Sequence, residues 1–230
     1  MKIVIIHGQN HKGSTYKIAH DLAEKVNGEI KEFFLPKDFD EFCIGCNTCF
    51  YKDEEKCPHR EKLKPIIDAI DECDLLILES PVYVFHVTGQ MKAFLDHLGH
   101  RWMAHRPNEL MFKKQAVAIT TAAGAGVKST LKDMTDSLFY LGTGKIYKFG
   151  LAIQAKTYDD IKPKKKKKIE KNVNKIAKKI VKKNGKIKPG FKTKAFFGII
   201  RLIEKGHGTT EKDKAYWNEK GWLNKKRPWK

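Results

Sequence analysis

Four cysteines stand in the pattern Cys43-x₂-Cys46-x₂-Cys49-x₇-Cys57-Pro58. Three thiols at two-residue gaps, with a fourth before proline, have the ligand character of a [4Fe–4S] cluster, and Gly45 lets the chain wrap one. Zinc fits less well, because its sites usually pair two ligands from each of two separate elements. A third reading leaves free thiols, or one thiol pair, in a loop. The sequence keeps these chemistries open. Cys73, just before an apolar run, reads as a core thiol.

A second set of residues suits an anion. His7-Gly8-Gln9-Asn10-His11-Lys12-Gly13-Ser14-Thr15 follows the β-branched run Lys2–Ile6 and precedes an apolar face at helical spacing, Ile18, Leu22 and Val26. A buried strand, a Gly/Ser/Thr turn and then a helix aim free N–H groups and the positive end of the helix dipole at the turn. A triphosphate loop needs Lys before its Ser/Thr, but Ser14 occupies that place, which disfavours ATP or GTP hydrolysis. The dinucleotide pattern G-x-G-x-x-G is absent. Hydroxyls, an amide and a lysine suit a phosphate monoester held without magnesium. The same residues also fit an ordinary turn with Ser14 as helix N-cap.

The elements that must position these groups alternate. Strands are expected at 2–6, 29–35, 74–79, 114–121 and 145–153. Helices are expected on the apolar spacings of Ile18–Val26, Leu63–Ile70, Met91–Leu98, Val127–Leu138 and Ile169–Val181. This alternation predicts an α/β fold, a doubly wound parallel sheet. Ligands bind such sheets beyond the carboxyl ends of the strands. In the order 2-1-3-4-5, the turns Gln9–Thr15, Pro81–Thr88 and Thr121–Gly126 converge.

Those turns carry a resemblance. Gly8–Thr15 resembles the phosphate loop of the NADPH-dependent FMN reductases. Ser80-Pro81-Val82-Tyr83-Val84-Phe85-His86-Val87-Thr88-Gly89-Gln90-Met91-Lys92-Ala93-Phe94-Leu95-Asp96 resembles that family's isoalloxazine loop and following helix. Cys43–Cys49 with Cys57 is similar to its iron–sulfur flavoprotein branch. The resemblance covers about residues 1–155 and implies a flavodoxin-like fold, bound FMN, reduction by NAD(P)H and a homodimer. By that resemblance Gln9, His11, Lys12, Ser14 and Thr15 hold the phosphate. Pro81, Val82, Tyr83, Phe85 and His86 border the flavin ring, and Thr121, Ala122 and Gly124 take its other edge. Gln9 replaces the family's usual Ser and His11 its usual Arg, so the phosphate site has less fixed charge.

A flavin needs backbone donors and an apolar wall, and it supplies the chemistry itself. Tyr83 and Phe85 either form that wall or simply pack. His86 is either a proton donor at the ring or a solvent-exposed loop histidine. Without a cluster, the implied reaction passes a hydride from a nicotinamide through flavin N5 to a quinone, flavin, azo or nitro compound. With a [4Fe–4S] cluster on Cys43, Cys46, Cys49 and Cys57, single electrons pass between the flavin and a protein partner.

The formal charge of +19 is uneven. Residues 160–230 hold 25 Lys+Arg against 6 Asp+Glu, and the remainder is balanced at 21 each. With a neutral body, any anionic partner is a property of the tail. Nucleic acid is the runner-up there, since Lys with interleaved Trp can serve it, but no recognised nucleic-acid motif is present and it is not the expectation. No apolar run reaches the roughly 18 residues of a membrane span, and the amino terminus does not read as a signal peptide, so a cytoplasmic protein is expected. Residues 1–183 are expected to form the FMN-binding domain and 184–230 a basic, aromatic-rich extension. Its Phe196, Phe197, Tyr216, Trp217, Trp222 and Trp229 need cover: the subunit's own body, anionic lipid or a dimer partner. Docking across a dimer is the expectation.

Overall fold

The computed structural model describes residues 1–230. The run Lys2–His7 forms β1, and its alternation decides the layering of the molecule. Ile3 and Ile5 point to one side of the sheet, Val4 and Ile6 to the other, and all four are buried. The other strands are β2 (Glu29–Phe34), β3 (Leu75–Glu79), β4 (Gln115–Ala122) and β5 (Lys145–Ala152). They pair in parallel in the order β2-β1-β3-β4-β5. The central strands β3 and β4 are buried along their whole length, as parallel strands covered on both faces must be.

Helix α1 (Ser14–Val26) lies on the Ile3/Ile5 side. It is joined there by the long Lys-studded helix α6 (Pro163–Lys183), whose Ile169, Val173, Ile176 and Ile180 are buried. A short helix in the cysteine loop, α2 (Thr48–Tyr51), buries none of its residues. Helices α3 (Arg60–Glu72), α4 (Gly89–Asp96) and α5 (Val127–Tyr140) cover the opposite side through Leu63, Ile66, Ile67, Phe94, Leu95, Met134 and Leu138. Since every strand runs the same way, the turns after β1, β3 and β4 all leave by one edge. The chain ends in α7 (Phe191–Lys205) and α8 (Glu211–Glu219).

The tail aromatics find their cover within the chain, not across a dimer as expected. Phe197, Ile200, Trp217 and Trp222 bury with Met103 and Phe112, which lie in the segment between α4 and β4. Polar contacts fix the same face. The Trp217 indole N–H donates to the His105 carbonyl at 2.6 Å, and the Tyr216 hydroxyl to the Pro107 carbonyl at 2.7 Å. Burying an indole with its N–H satisfied combines a large apolar gain with no orphaned donor.

Candidate functional site

At the edge where the three turns meet, the backbone of β1 passes into Gly8, whose N–H donates to the Glu79 carbonyl at 2.8 Å. A β-carbon there would stand 2.9 Å from Thr88 Oγ1 and 3.0 Å from the same carbonyl, so only glycine fits. The turn then feeds α1. Its N-cap is Gly13 and not Ser14, and no side chain caps the helix. Ser14 and Thr15 are buried in the first turn, whose N–H groups have no intrahelical acceptor. Gln9 bridges the turn: its amide donates to the His11 carbonyl at 3.1 Å, and its Oε1 accepts from the Tyr83 hydroxyl at 3.0 Å. His11 is exposed. The Lys12 ammonium lies over the Tyr16 and Phe34 rings, 5.3 and 5.5 Å from their centroids, which keeps its charge beside the start of α1.

The turn after β3 is tied to both neighbours. Thr88 caps α4, accepting from Met91 N–H at 3.2 Å, and its hydroxyl donates to the Gly8 carbonyl at 2.6 Å. Val82 N–H donates to the Thr121 carbonyl at 2.9 Å, and Thr120 Oγ1 to the Ser80 carbonyl at 2.6 Å. Between them Tyr83 and His86 exchange backbone hydrogen bonds, closing a two-residue turn with Val84 at φ 47° and Phe85 at φ 69°. Such a turn normally takes Asn or Gly. A β-branched Val and a Phe in the left-handed region cost on the order of 1–3 kcal/mol each, so the surrounding contacts hold a strained loop. Tyr83 and Phe85 do not pack: they are 50 % and 61 % exposed. Pro81 and Val82 sit half-buried at their base.

His86 is exposed, and its Nδ1 lies 3.0 Å from Asp133 Oδ2 on α5. A carboxylate only accepts, so the hydrogen bond puts a proton on Nδ1 and leaves Nε2 toward solvent. The same carboxylate accepts from Val87 N–H at 3.3 Å.

The turn after β4 begins inside the strand. Thr121 and Ala122 are buried residues of β4, and Thr121 Oγ1 meets Thr15 Oγ1 at 2.6 Å. One hydroxyl of this pair donates to the other, and the second proton stays available. Gly124 has open space around it. Gly126 is the constrained position, at φ 88°, where a β-carbon would be 2.5 Å from Val82 Cγ1 and 2.8 Å from Phe85 Cα. The Ser129 hydroxyl, one turn into α5, donates to the Phe85 carbonyl.

Beneath the turns lies a buried polar row that strand periodicity did not single out. His7 and Glu79 end adjacent strands in register. His7 Nδ1 is 2.8 Å from Glu79 Oε1, and its Nε2 is 3.0 Å from Glu32 Oε1. Phe34 stacks on the imidazole at 4.3 Å. Burial pushes the Glu79 carboxyl up, against the pull of His7, and its Oε2 has no partner. The available signal was a polar residue closing each of two otherwise apolar strands.

The cysteine loop is built differently. Cys43 and Cys46 are exposed, Cys49 and Cys57 half-buried. Burial raises the Cys49 thiol, and the charges of Cys57, Cys43 and Cys46 raise it further. Hydrogen bonds from Thr48 lower the Cys46 thiol. No group of three or more His, Cys, Asp or Glu side chains stands at metal-ligating geometry. The tail clamps this loop. Arg106 donates to the Cys49 carbonyl and pairs with the fully buried Asp213 of α8. Lys212 reaches the Lys52 carbonyl at 2.6 Å and Asp53 at 3.1 Å.

A five-stranded parallel sheet in this order, with glycine-dependent turns and an uncapped helix at its carboxyl edge, defines a flavodoxin-like α/β fold. Residues 1–157 match the sequence model of the NADPH-dependent FMN reductases, and the chain belongs to that family. It is 33% identical over 108 residues to an iron-sulfur flavoprotein of Archaeoglobus fulgidus, covering 44% of this chain but only 48% of that relative. It is 29% identical over 143 residues to an iron-sulfur flavoprotein of Methanocaldococcus jannaschii, covering 58% and 69%. The fold is that of an FMN-dependent NADH-azoreductase from Bacillus anthracis solved with FMN, at TM-score 0.60 and 13% identity over 79% of this chain and 100% of that one.

Proposed function

We propose that the chain is an FMN-dependent NAD(P)H oxidoreductase that reduces a small acceptor: a quinone, a flavin, an azo or a nitro compound. The observation that carries this reading is the mutual locking of the three turns around an uncapped helix start. Thr88 ties to Gly8, Thr15 to Thr121, Val82 to Thr121 and Tyr83 to Gln9. The donor set fits FMN: free N–H groups and hydroxyls for a phosphate, small residues for close backbone approach, and exposed aromatic side chains for a ring.

The α1 N–H groups with Ser14, Thr15, Gln9, His11 and Lys12 would hold the phosphate monoester. Pro81, Val82, Tyr83 and Phe85 would border the ring, with Thr121, Ala122 and Gly124 on its other edge. FMN held by these residues would supply the redox chemistry, taking two electrons from a nicotinamide for delivery to the acceptor. Asp133 orients His86, which can hold a proton at Nε2. The strained 83–86 turn presents apolar surface at the mouth and excludes water there. Exposed Tyr83, Val84 and Phe85 support closure by a second copy in a homodimer.

Titration with FMN tests the reading, followed by NADH or NADPH oxidation with a quinone or azo dye. Stoichiometric binding and acceptor-dependent turnover are expected. A folded protein that retains no FMN would sink it.

A second reading, an iron–sulfur flavoprotein passing electrons to a protein partner, is supported by the spacing of Cys43, Cys46, Cys49 and Cys57 on one loop and by the iron-sulfur flavoproteins among the relatives. The thiols as they stand do not form a cage, so ligation requires this exposed loop to tighten. Iron and acid-labile sulfide on anaerobically reconstituted protein separate the two readings.

A further inference from the structure

Helix α7 is amphipathic in an unusual sense: both of its faces are apolar. Thr193, Phe197, Ile200 and Glu204 form the inner stripe and are buried against the body. On the other side, Phe191, Ala195, Ile199 and Leu202 recur at spacings of four, four and three, which places them on one face. They point to solvent: Phe191 is 84 % exposed, Ile199 56 % and Leu202 67 %, with Ile203 beside them at 37 %. Isolated apolar residues on a surface need no explanation, but a continuous stripe along a 15-residue helix marks an interaction surface.

The rim of that stripe is cationic. Lys194 and Lys205 flank it on one side and Lys192 on the other by helical position. Arg201 donates to the carbonyls of Trp222, Leu223 and Asn224 at 2.9, 3.1 and 2.7 Å, which brings Lys225, Lys226 and Arg227 alongside α7. None of these seven cations forms an ion pair. Residues 184–230 contain 13 Lys+Arg against 4 Asp+Glu, and two of the four, Glu204 and Asp213, are buried. The surface charge is therefore more one-sided than the sequence count.

We propose that α7 lies on an anionic lipid bilayer, its Phe191–Leu202 stripe entering the headgroup boundary and its lysine rim meeting acidic headgroups. No helix is long and apolar enough to cross a membrane, so this is docking in the plane of the interface. Charge decides against one other occupant and the apolar stripe against the second. A second copy packed stripe to stripe on this face would bring the same lysine rims against each other. A nucleic acid would satisfy the lysines but offers a phosphate backbone to Phe191, Ile199 and Leu202. An acidic bilayer matches both the apolar stripe and the basic rim.

The test is flotation of the full chain with phosphatidylcholine vesicles, with and without about 30 mol % phosphatidylglycerol. Anionic vesicles should carry the protein. Neutral vesicles, or salt raised from about 0.05 to about 0.5 M, should release most of it. The double variant Phe191→Ser/Leu202→Ser should reduce vesicle partition on the order of tenfold or more. Both side chains are exposed, so its circular dichroism and FMN affinity should match the parent, which separates failure of this surface from failure of the flavin site. Absence of flotation by folded protein overturns the proposal. So does flotation that the double variant leaves unchanged. A dimer that the double variant dissociates, without vesicle binding, would assign the stripe to a second copy. Oligonucleotide binding without vesicle binding would assign the rim to nucleic acid.

Discussion

Gly126→Ala separates a site organised by backbone from one organised by side chains. At φ 88° an L-residue sits in the left-handed region, at about 1–2 kcal/mol. The new methyl would stand 2.5 Å from Val82 Cγ1, which can rotate, but also 2.8 Å from Phe85 Cα and 3.3 Å from Phe85 C, which cannot. Those atoms belong to a turn already held at positive φ, so there is no relaxed state to move into. Overpacking of this kind adds about 1–3 kcal/mol, for a total of roughly 2–5 kcal/mol lost. Displacing Phe85 should also weaken FMN binding by about tenfold or more, since 1.4 kcal/mol of lost contact suffices for that factor. Gly124→Ala is the control. It has no atom within 4 Å and no positive φ, so its stability should stay within about 0.5 kcal/mol of the parent. Urea denaturation and quenching of flavin fluorescence read the two effects. A Gly126→Ala protein equal to the parent in both, or a Gly124→Ala protein destabilised as much, refutes the reasoning.

Three further outcomes are expected. Asp213→Ala leaves buried Arg106 with Glu54, at 3.3 Å, as its one remaining carboxylate, which should cost about 1.5–3 kcal/mol by urea denaturation and speed alkylation of Cys49 by freeing the loop. Burial holds the His100 imidazole down at about 4 against an ordinary 6.5. The unfolded chain therefore binds the proton first, so stability is fully present above about 6.5 and lost as pH falls toward about 4, by at most about 3 kcal/mol. Urea midpoints between those values should show this slope, and His100→Asn should flatten it. Iodoacetamide near neutral pH should label Cys46, lowered by Thr48 and exposed, before Cys49, raised by burial. Mass spectrometry after brief labelling would reveal the opposite order if the reading is wrong.

The sheet was legible because its strands are buried on both faces and announce themselves as apolar runs. The helices were legible through their 3.6 period. Convergence of the three turns followed from the strand order. What stayed hidden depends on tertiary placement. Val84 and Phe85 carry no turn signal, and their positive φ exists only because neighbouring turns impose it. Asp133 lies on the helix after β4 and reaches His86 only in the fold. Arg106 sits in a stretch without periodicity, so its links to Cys49 and Asp213 could not be inferred. The intramolecular cover of Trp217 and Trp222 was missed for the same reason: Met103 and Phe112 belong to no strand or regular helix face.

These placements divide the molecule's chemistry between two supports. The flavin turns are positioned by β1, β3 and β4, and each tie among them runs between residues of those strands, their turns, α1 and α5. The cysteine loop lacks such backing: α2 buries nothing, and its fixed points are Arg106 and Lys212. Arg106 is held in turn by Asp213 from the tail. The extension is therefore the wall against which the cysteine loop is set, and it acts through the buried Arg106–Asp213 pair and through Lys212 rather than through the sheet. Loss of α8 should leave the flavin turns in place while releasing Cys49. Loss of the Thr88–Gly8 tie should do the reverse. That independence is what the fold predicts whenever one set of residues hangs on strand register and the other on a charge pair a hundred residues away in the chain.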